Sequence, residues 1–198
     1  MTIFYLIRHG DTQKNQDGQY DFDPSLTDLG KQQAKDLSLE LSNIKFDRYY
    51  TSTKSRAVQT ALFFTGHNNK ITIDPAIVEA RGPFVAQNHD GNSDLEKEDT
   101  FMALKTENEK LEYISQQGSE SPSLIAKRMY SFLKKLSIKY PTKTIAVFSH
   151  TFSIRILLAY LKQSQVENIF DVNLKNCGYA VLSVSQGKII IKDVVGLV

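Results

Sequence analysis

Short apolar runs alternate with longer amphipathic stretches along most of this chain. The apolar runs are rich in β-branched and aromatic residues, which is typical of strands covered on both faces of a sheet. The last two runs meet at Gln186-Gly187, a turn that favours an antiparallel hairpin. The predicted strands are residues 3–7, 46–50, 71–73, 144–148, 179–184 and 188–193.

The stretches between these strands repeat apolar residues with helical spacing and begin at residue types that start helices. A buried stripe is expected to include Leu29 in the first helix and Leu124 in the third. The last helix is predicted over residues 151–161. The expected cap and first-turn residues are Thr27 for the first helix, Ser52 or Thr53 for the second, and Ser121 with Pro122 for the third.

This alternation of strands and helices predicts an α/β fold, with three α/β/α layers around a mostly parallel mixed sheet. A chain of 198 residues fits one domain, here residues 1–198, with a candidate lid at about 81–120. Between His89 and Glu112 there are eight acidic residues and three lysines, a local net charge of −5. This segment fits either a solvated helical face or a lid over a site.

Composition and charge exclude several classes of protein. The chain is 41% hydrophobic and 23% charged, and its net charge of +2 gives no general case for nucleic acid or a membrane surface as partner. The single cysteine, Cys177, rules out an internal disulfide and a thiolate zinc cluster, and it is expected to be buried. No secretory signal or run of about 20 apolar residues is visible, so a cytoplasmic location is the default expectation.

His9 lies two residues after the end of the first predicted strand, with Arg8 between them, where it is well placed for chemistry. Gly10 after it allows a sharp turn and lets a ligand approach the backbone. The ordinary imidazole pKa is about 6.5, and adjacent guanidinium groups such as Arg8 lower it, so His9 is expected to be neutral and nucleophilic near neutral pH. Taken alone, such a histidine is more often structural or exposed. Its position after a buried strand favours a catalytic role.

Further cationic and hydrogen-bonding groups lie at other element boundaries. Arg56 lies near the start of the second predicted helix, and its guanidinium can donate two parallel hydrogen bonds to a phosphate, although a surface salt bridge is the commoner role of a lone arginine. His150 ends a predicted strand, and the N–H groups around Thr151 add donors. Ligands bind at the carboxyl ends of strands in open α/β sheets, so these groups are expected to converge on one phosphate. The set predicts phosphoryl transfer through a histidine.

The order of these motifs resembles the histidine phosphatase superfamily, the phosphoglycerate-mutase-like group. The similarity runs from the first strand to about Arg155, and by topology it includes the final strands. Two departures are that Thr151 stands where glycine is common and that the segment after Gly82 lacks the family's tryptophan-containing pattern. The matching stretches are Arg8-His9-Gly10-Asp11-Thr12 with Asn15, Leu26-Thr27 with Gly30 and Gln33-Ala34, Ser52 with Arg56-Ala57 and Gln59-Thr60-Ala61, Gly118-Ser119-Glu120-Ser121 (one residue longer than the family's segment) with Arg128, and Ser149-His150 with Arg155.

The resemblance implies a role for each matching residue. His9 would attack phosphorus and become a phosphohistidine. Glu79 stands at the family's usual position for the acid that protonates the leaving oxygen and then activates water, although a surface role for it stays open. No metal or other cofactor is implied, because side-chain cations neutralise the phosphate. The implied phosphate-binding residues are Arg8, Asn15, Arg56, His150 and Thr151.

Three functions remain open on the sequence. A phosphomonoester hydrolase acting on a small molecule is favoured. A phosphoglycerate mutase needs further cations for a second phosphate and a carboxylate, yet residues 83–120 contain three lysines and no arginine. A non-catalytic phosphate-binding or interaction module would be expected to lack the nucleophile or the acid, and both candidates are present. The sequence predicts neither the substrate nor the oligomeric state.

Overall fold

A six-stranded sheet forms the centre of the computed structural model, which describes residues 1–13, 23–80, 120–162 and 173–197. Its strands are β1 (Thr2–Arg8), β2 (Arg48–Thr51), β3 (Ile71–Ile73), β4 (Thr144–Ser149), β5 (Leu174–Ser185) and β6 (Lys188–Leu197). The strand order is β3-β2-β4-β1-β5-β6. The pairs among the first four strands are parallel, whereas β5 runs antiparallel to both β1 and β6. The sheet is therefore mixed and mostly parallel, and β5 and β6 form the predicted hairpin.

Helices cover both faces of this sheet. The described residues form α1 (Asp28–Glu40), α2 (Ser55–Thr65), α3 (Pro122–Lys139) and α4 (Thr151–Lys162), together with a short 3₁₀ helix at Pro75–Ile77. Successive residues of a strand point to opposite faces, so Phe4 and Leu6 of β1 pack in the cluster with α3 and α4, whereas Ile7 packs with α1 and α2. This arrangement confirms the three-layer prediction. Within the described ranges, no helix is long and apolar enough to cross a membrane.

The helix starts were predicted well for two of the helices. The Thr27 hydroxyl accepts a hydrogen bond from the Gly30 N–H at 3.0 Å, and the Ser121 hydroxyl accepts one from the Leu124 N–H at 3.4 Å. The prediction of Ser52 or Thr53 as the cap of α2 is wrong, since the N-cap is Lys54 and its side chain makes no capping bond.

Two members of the predicted buried stripes lie on the surface instead. Leu29 is 61% exposed and Leu124 is 52% exposed. Both residues lie in the first turn of their helices, but the buried positions there include Gly30 in α1 and Pro122 and Ile125 in α3. Successive residues are about 100° apart around a helix, so Leu29 and Leu124 lie beside the buried face. The apolar periodicity therefore identified the correct faces of α1 and α3 but included one residue beside each face.

The predicted lid at 81–120 lies outside the described residues except for Glu120. The lid and the single-domain assignment of residues 1–198 therefore stay predictions.

The carboxyl ends of three neighbouring parallel strands position the candidate site. The residues that directly follow β1, β2 and β4 are His9, Ser52 and His150. Because β4 lies between β1 and β2, these three residues meet at one edge of the sheet.

Candidate active site

His9 is held on both sides of its ring at the end of β1. Its backbone N–H donates to the carbonyl of Ser149 at 3.1 Å, which continues the pairing of β1 with β4. The ring Nδ1 lies 2.8 Å from the carbonyl oxygen of Gly10, and the Nε–H of Arg56 donates to Nε2 at 3.2 Å. A carbonyl accepts only from a protonated nitrogen and a guanidinium donates only to an unprotonated one. Nδ1 therefore carries the hydrogen and Nε2 keeps its lone pair.

The environment of His9 favours the neutral ring. Burial lowers the pKa of His9 to about 3, and the positive charges of Arg56 and Arg8 act in the same direction. The hydrogen bond to the carbonyl of Gly10 and the carboxylate of Asp11 oppose this shift without cancelling it. His9 is therefore unprotonated over the whole physiological range of pH.

Two arginines, Arg56 and Arg8, lie close enough to His9 to lower the pKa of its ring. Arg56 lies in the first turn of α2, and its Nη1 is 3.5 Å from the carboxylate of Asp23. Both oxygens of Asp23 also accept from the N–H of Ser55, at 2.8 and 2.9 Å, so this carboxylate caps the helix that carries Arg56. The guanidinium of Arg8 donates from Nη1 to the carbonyl of Leu174, and its buried Nε makes no hydrogen bond within the described residues.

His150 lies beside His9, with 5.3 Å between the ring centroids. It is fully buried, and its Nε2 is 2.7 Å from the hydroxyl of Ser52. Burial keeps the pKa of His150 well below its ordinary value, and the positive charge of Arg56 adds to the effect. The other ring nitrogen, Nδ1, and the hydroxyl of Thr151 are both buried without a hydrogen-bond partner in the described part of the chain. Unpartnered buried groups of this kind are available to a ligand.

Glu79 approaches the same edge of the sheet from the 3₁₀ helix. Its Oε1 accepts from the backbone N–H of Ser153 at 3.0 Å and lies 3.2 Å from the hydroxyl of Ser153. The hydroxyl of Ser149 donates to the carbonyl of Ile77 at 2.7 Å, and that of Ser153 lies 2.8 Å from the carbonyl of Val78. Two serines on either side of His150 therefore hold the segment that carries Glu79. Within the described residues, Oε2 of Glu79 accepts no hydrogen bond.

Arg128 of α3 supports the backbone of the same segment. It forms a two-pronged ion pair with Glu120, at 2.7 and 2.9 Å. It also donates to the carbonyls of Ala76 at 2.8 Å and Glu79 at 3.2 Å. The two half-buried residues therefore brace the backbone of the segment that carries Glu79.

The turn after His9 packs backbone against backbone with the start of α1. A Cβ atom added to Gly10 would lie 2.5 Å from the carbonyl oxygen of Gly30, and one added to Gly30 would lie 2.1 Å from the carbonyl oxygen of Asp11. The N–H of Gly10 donates to the hydroxyl of Thr60, and that of Asp11 donates to the side chain of Gln33. The motif residues around the histidine therefore serve to hold its turn in place.

Comparison with known proteins agrees with this arrangement. The profile described as histidine phosphatase superfamily (branch 1) matches residues 4–195. The chain belongs to the histidine phosphatase superfamily. It is 28% identical to phosphoserine phosphatase 1 of Hydrogenobacter thermophilus, over 96% of this chain and 90% of that protein. It is also 28% identical to the adenosylcobalamin/α-ribazole phosphatase of Escherichia coli strain K12, over 92% and 90% of the two chains.

Solved structures give the same fold for this histidine phosphatase. The phosphoserine phosphatase of Entamoeba histolytica in complex with 3-phosphoglyceric acid superposes with a TM-score of 0.80 at 23% identity, covering 98% of this chain and 97% of that one. The α-ribazole phosphatase of Shigella flexneri gives a TM-score of 0.73 at 25% identity, covering 98% and 96%. The predicted family, fold and phosphatase class are thus confirmed.

Most of the predicted site residues of this histidine phosphatase lie together. His9, Arg8, Arg56, His150, Thr151 and Glu79 all belong to the edge of the sheet described above. Asn15 lies outside the described residues. Burial of Cys177 is confirmed, and burial raises the pKa of its thiol to about 12.

Sequence reasoning missed three supporting residues of this phosphatase. Asp23 caps α2 beside Arg56, Ser52 bonds to His150, and the side-chain amide of Asn176 donates to the carbonyl of His9 at 3.2 Å. Ser52 was within a motif but was predicted as a helix cap. No local signal marks Asp23 or Asn176, because their partners are distant in the sequence.

Proposed function

We propose that this histidine phosphatase hydrolyses small phosphomonoesters through a phosphohistidine on His9, with Glu79 as general acid and no metal ion. The observation that carries the proposal is the pair of hydrogen bonds on the His9 ring. They leave the lone pair on Nε2, which faces the guanidinium group of Arg56. A nucleophile paired with a phosphate-binding cation is the arrangement that histidine phosphorylation requires.

In the first step, Nε2 of His9 forms a bond to phosphorus while the bond from phosphorus to the ester oxygen breaks. The proton of Glu79 passes to that oxygen, so the alcohol leaves neutral and Glu79 becomes a carboxylate. In the second step, the carboxylate takes a proton from water as the water oxygen attacks phosphorus. The bond from nitrogen to phosphorus then breaks, which releases inorganic phosphate and restores both residues.

The charge of the transferred group would be balanced by side chains. Arg8 and Arg56 offer guanidinium donors, and His150 and Thr151 offer buried groups that lack partners within the described residues. Asn15 is proposed as a further donor from the motif alone. Because phosphoryl transfer depends chiefly on positioning and on stabilising charge, these groups can supply what a metal ion supplies elsewhere.

Two relatives suggest where to begin the search for a substrate. They are named for phosphoserine and for α-ribazole, and each aligns with nine-tenths or more of this chain. We therefore propose a small phosphorylated metabolite as the substrate class. Phosphoglycerate mutase is the alternative to be tested beside it, and phosphate binding without turnover is the third.

The decisive experiment measures phosphate release in the presence of EDTA from a panel of phosphomonoesters that includes phosphoserine and α-ribazole phosphate. Wild type is compared with His9→Ala and with His67→Ala, a variant of an exposed histidine in the turn after α2. We expect release by wild type and His67→Ala, none by His9→Ala, and a radiolabelled acid-labile phosphoenzyme in wild type. Turnover by His9→Ala would disprove the nucleophile, and turnover abolished by EDTA would disprove the metal-free mechanism. Mutase activity is assayed with 3-phosphoglycerate and its bisphosphate primer.

A further inference from the structure

We propose that Ser52 is a positioning residue for this reaction: its hydroxyl holds neutral His150 in the tautomer with hydrogen on Nδ1, which then donates to the phosphoryl group. The hydrogen bond from Nδ1–H to the phosphoryl group rests on the proposed function, whereas the assignment of the tautomer does not.

Ser52 is fixed at the end of β2 by two hydrogen bonds, one from its backbone and one to its side chain. Its own N–H donates to the carbonyl of Phe148 at 3.1 Å, so it continues the pairing of β2 with β4. Its hydroxyl oxygen accepts from the N–H of Lys54 at 3.2 Å. The same oxygen lies 2.7 Å from Nε2 of His150, and both Ser52 and His150 are fully buried.

Counting hydrogens distinguishes the two tautomers of His150. If Nε2 carried the hydrogen, it would donate to the Ser52 oxygen, and the hydroxyl hydrogen of Ser52 would have no acceptor within the described residues. Nδ1 would also be a buried acceptor with no donor among those residues. If Nδ1 carries the hydrogen, the hydroxyl of Ser52 donates to Nε2, and of these groups the Nδ1–H alone lacks a partner in the described part of the chain. An unmet buried donor or acceptor is destabilising, and the Nδ1–H tautomer leaves one such group where the Nε2–H tautomer leaves two, so the Nδ1–H tautomer is favoured.

The remaining donor has the right chemistry for the site. A phosphoryl oxygen accepts hydrogen bonds and cannot donate one when it is ionised, so it matches Nδ1–H and would be repelled by a lone pair on Nδ1. The ring of His150 lies beside that of His9, where the phosphoryl group would be bound. Burial keeps His150 neutral, so it has a single N–H, and Ser52 decides which nitrogen bears it.

Nitrogen-15 NMR of histidine-labelled protein tests the tautomer directly. The His150 resonances are assigned by their loss in His150→Asn. In wild type we expect a protonated Nδ1 and an unprotonated Nε2 for His150, and the Nδ1–H signal should shift on titration with inorganic phosphate. A protonated Nε2 in the wild-type protein, or an Nδ1–H signal unchanged at saturating phosphate, would overturn the proposal.

Variants then test whether Ser52 is the cause. Ser52→Ala should let the Nε2–H form appear and lower kcat/KM by about 10- to 100-fold, the usual effect of removing a group that orients a functional histidine. Ser52→Thr keeps a hydroxyl and should keep the Nδ1–H form. Ser183→Ala, which removes a buried hydroxyl in β5 away from the site, should change neither measurement. An unchanged tautomer and rate in Ser52→Ala would overturn the proposal, and the wild-type spectrum decides it even if Ser52→Ala does not fold.

The two proposals fail in different measurements. The tautomer of His150 is read from a spectrum of the resting protein and does not depend on turnover. The proposed function is read from phosphate release that depends on His9. A wild-type spectrum with Nε2 protonated beside normal turnover would reject the role of Ser52 and leave the proposed function standing.

Discussion

The Nε–H of Arg56 donates to Nε2 of His9, at 3.2 Å. The lone pair of the proposed nucleophile is therefore engaged by the cation that would bind the phosphoryl group. Phosphorus must approach Nε2 along the direction of that lone pair, so a bound substrate has to replace this hydrogen bond. The guanidinium can then direct its donors to phosphoryl oxygens, and the ion pair with Asp23 keeps it near the site during the exchange.

Substitution of Arg56 tests this dual role. Arg56→Lys keeps a positive charge but loses the forked, planar donor, so we expect kcat/KM to fall by about 100-fold or more in steady-state assays of phosphate release. The matched control is Arg48→Lys in β2, whose guanidinium lies over the ring of Tyr140, 5.3 Å from its centroid. Arg48 is exposed and lies at the amino end of its strand, so this variant should retain wild-type activity. A fall of equal size in both variants would show that Arg56 has no specific role.

The dependence of stability on pH follows from the two buried histidines. The pKa of His9 is about 3 in the folded protein, against about 6.5 in an unfolded chain, and the pKa of His150 is shifted in the same direction. Between these values the unfolded state binds protons that the folded state excludes. The free energy of unfolding should therefore fall as the pH is lowered from about 7 to 5, by at most about 1.4 kcal/mol per pH unit for each histidine.

Urea denaturation at several pH values between 5 and 7.5 measures this slope. His9→Asn removes one titrating group and should flatten the slope, whatever its effect on the stability at pH 7. His67→Asn replaces an exposed histidine whose backbone φ is +64°, a conformation that asparagine tolerates, and should leave the slope unchanged. Equal slopes for wild type and His9→Asn would contradict a neutral, buried His9.

Much of the fold was accessible from the sequence because buried strands and amphipathic helices carry strong local patterns. β1 and β4 are predicted to within a residue or two, and so is α4. β5 begins at Leu174, five residues before its predicted start, because its first part contains polar residues and a bulge. Cys177 in this part has a φ of +59°, which period-two alternation cannot anticipate.

The residues of the candidate site were likewise predictable from the sequence only in part. His9, Arg56 and His150 could be found because each follows or begins a recognisable element within a motif. The partners that orient them could not, since Asp23, Ser52 and Asn176 act through contacts that depend on the folded backbone. Residue types in a sequence predict which chemistry is present, whereas the tautomers and hydrogen-bond directions that make it work depend on tertiary contacts.

At Gly30, the close tertiary packing of the backbone should outweigh the higher helix propensity of alanine. In an isolated helix, replacing glycine by alanine stabilises the helix by about 1 kcal/mol. In this protein the new Cβ would lie 2.1 Å from the carbonyl oxygen of Asp11, so the turn after His9 must move. We expect Gly30→Ala to lower the free energy of unfolding by about 1–3 kcal/mol and to reduce kcat/KM as well.

The control for Gly30 is Gly66→Ala at the end of α2. Gly66 has a φ of +63°, and an added Cβ would meet nothing closer than 3.8 Å. The free energy of unfolding of this variant should therefore fall by about 1 kcal/mol, through backbone strain alone, and its activity should be unchanged. Urea denaturation and phosphate-release assays of both variants decide the matter. A stabilised, fully active Gly30→Ala would contradict the close packing of the two turns.

The effect of replacing Glu79, the proposed general acid, should depend on the leaving group of the substrate. Glu79→Gln keeps the size of the side chain and an oxygen that can accept from the N–H of Ser153, but an amide has no acidic proton to transfer to the leaving oxygen. For an alkyl ester such as phosphoserine, whose alkoxide leaves poorly, we expect kcat to fall by about 100-fold or more. For 4-nitrophenyl phosphate, whose phenolate leaves without protonation, formation of the phosphoenzyme should be little changed in a rapid-quench experiment. Glu40→Gln, which alters an exposed glutamate bonded to Tyr179, serves as control and should match wild type on both substrates. An equal fall in rate on the two substrates would mean that Glu79 supports the site without donating the proton.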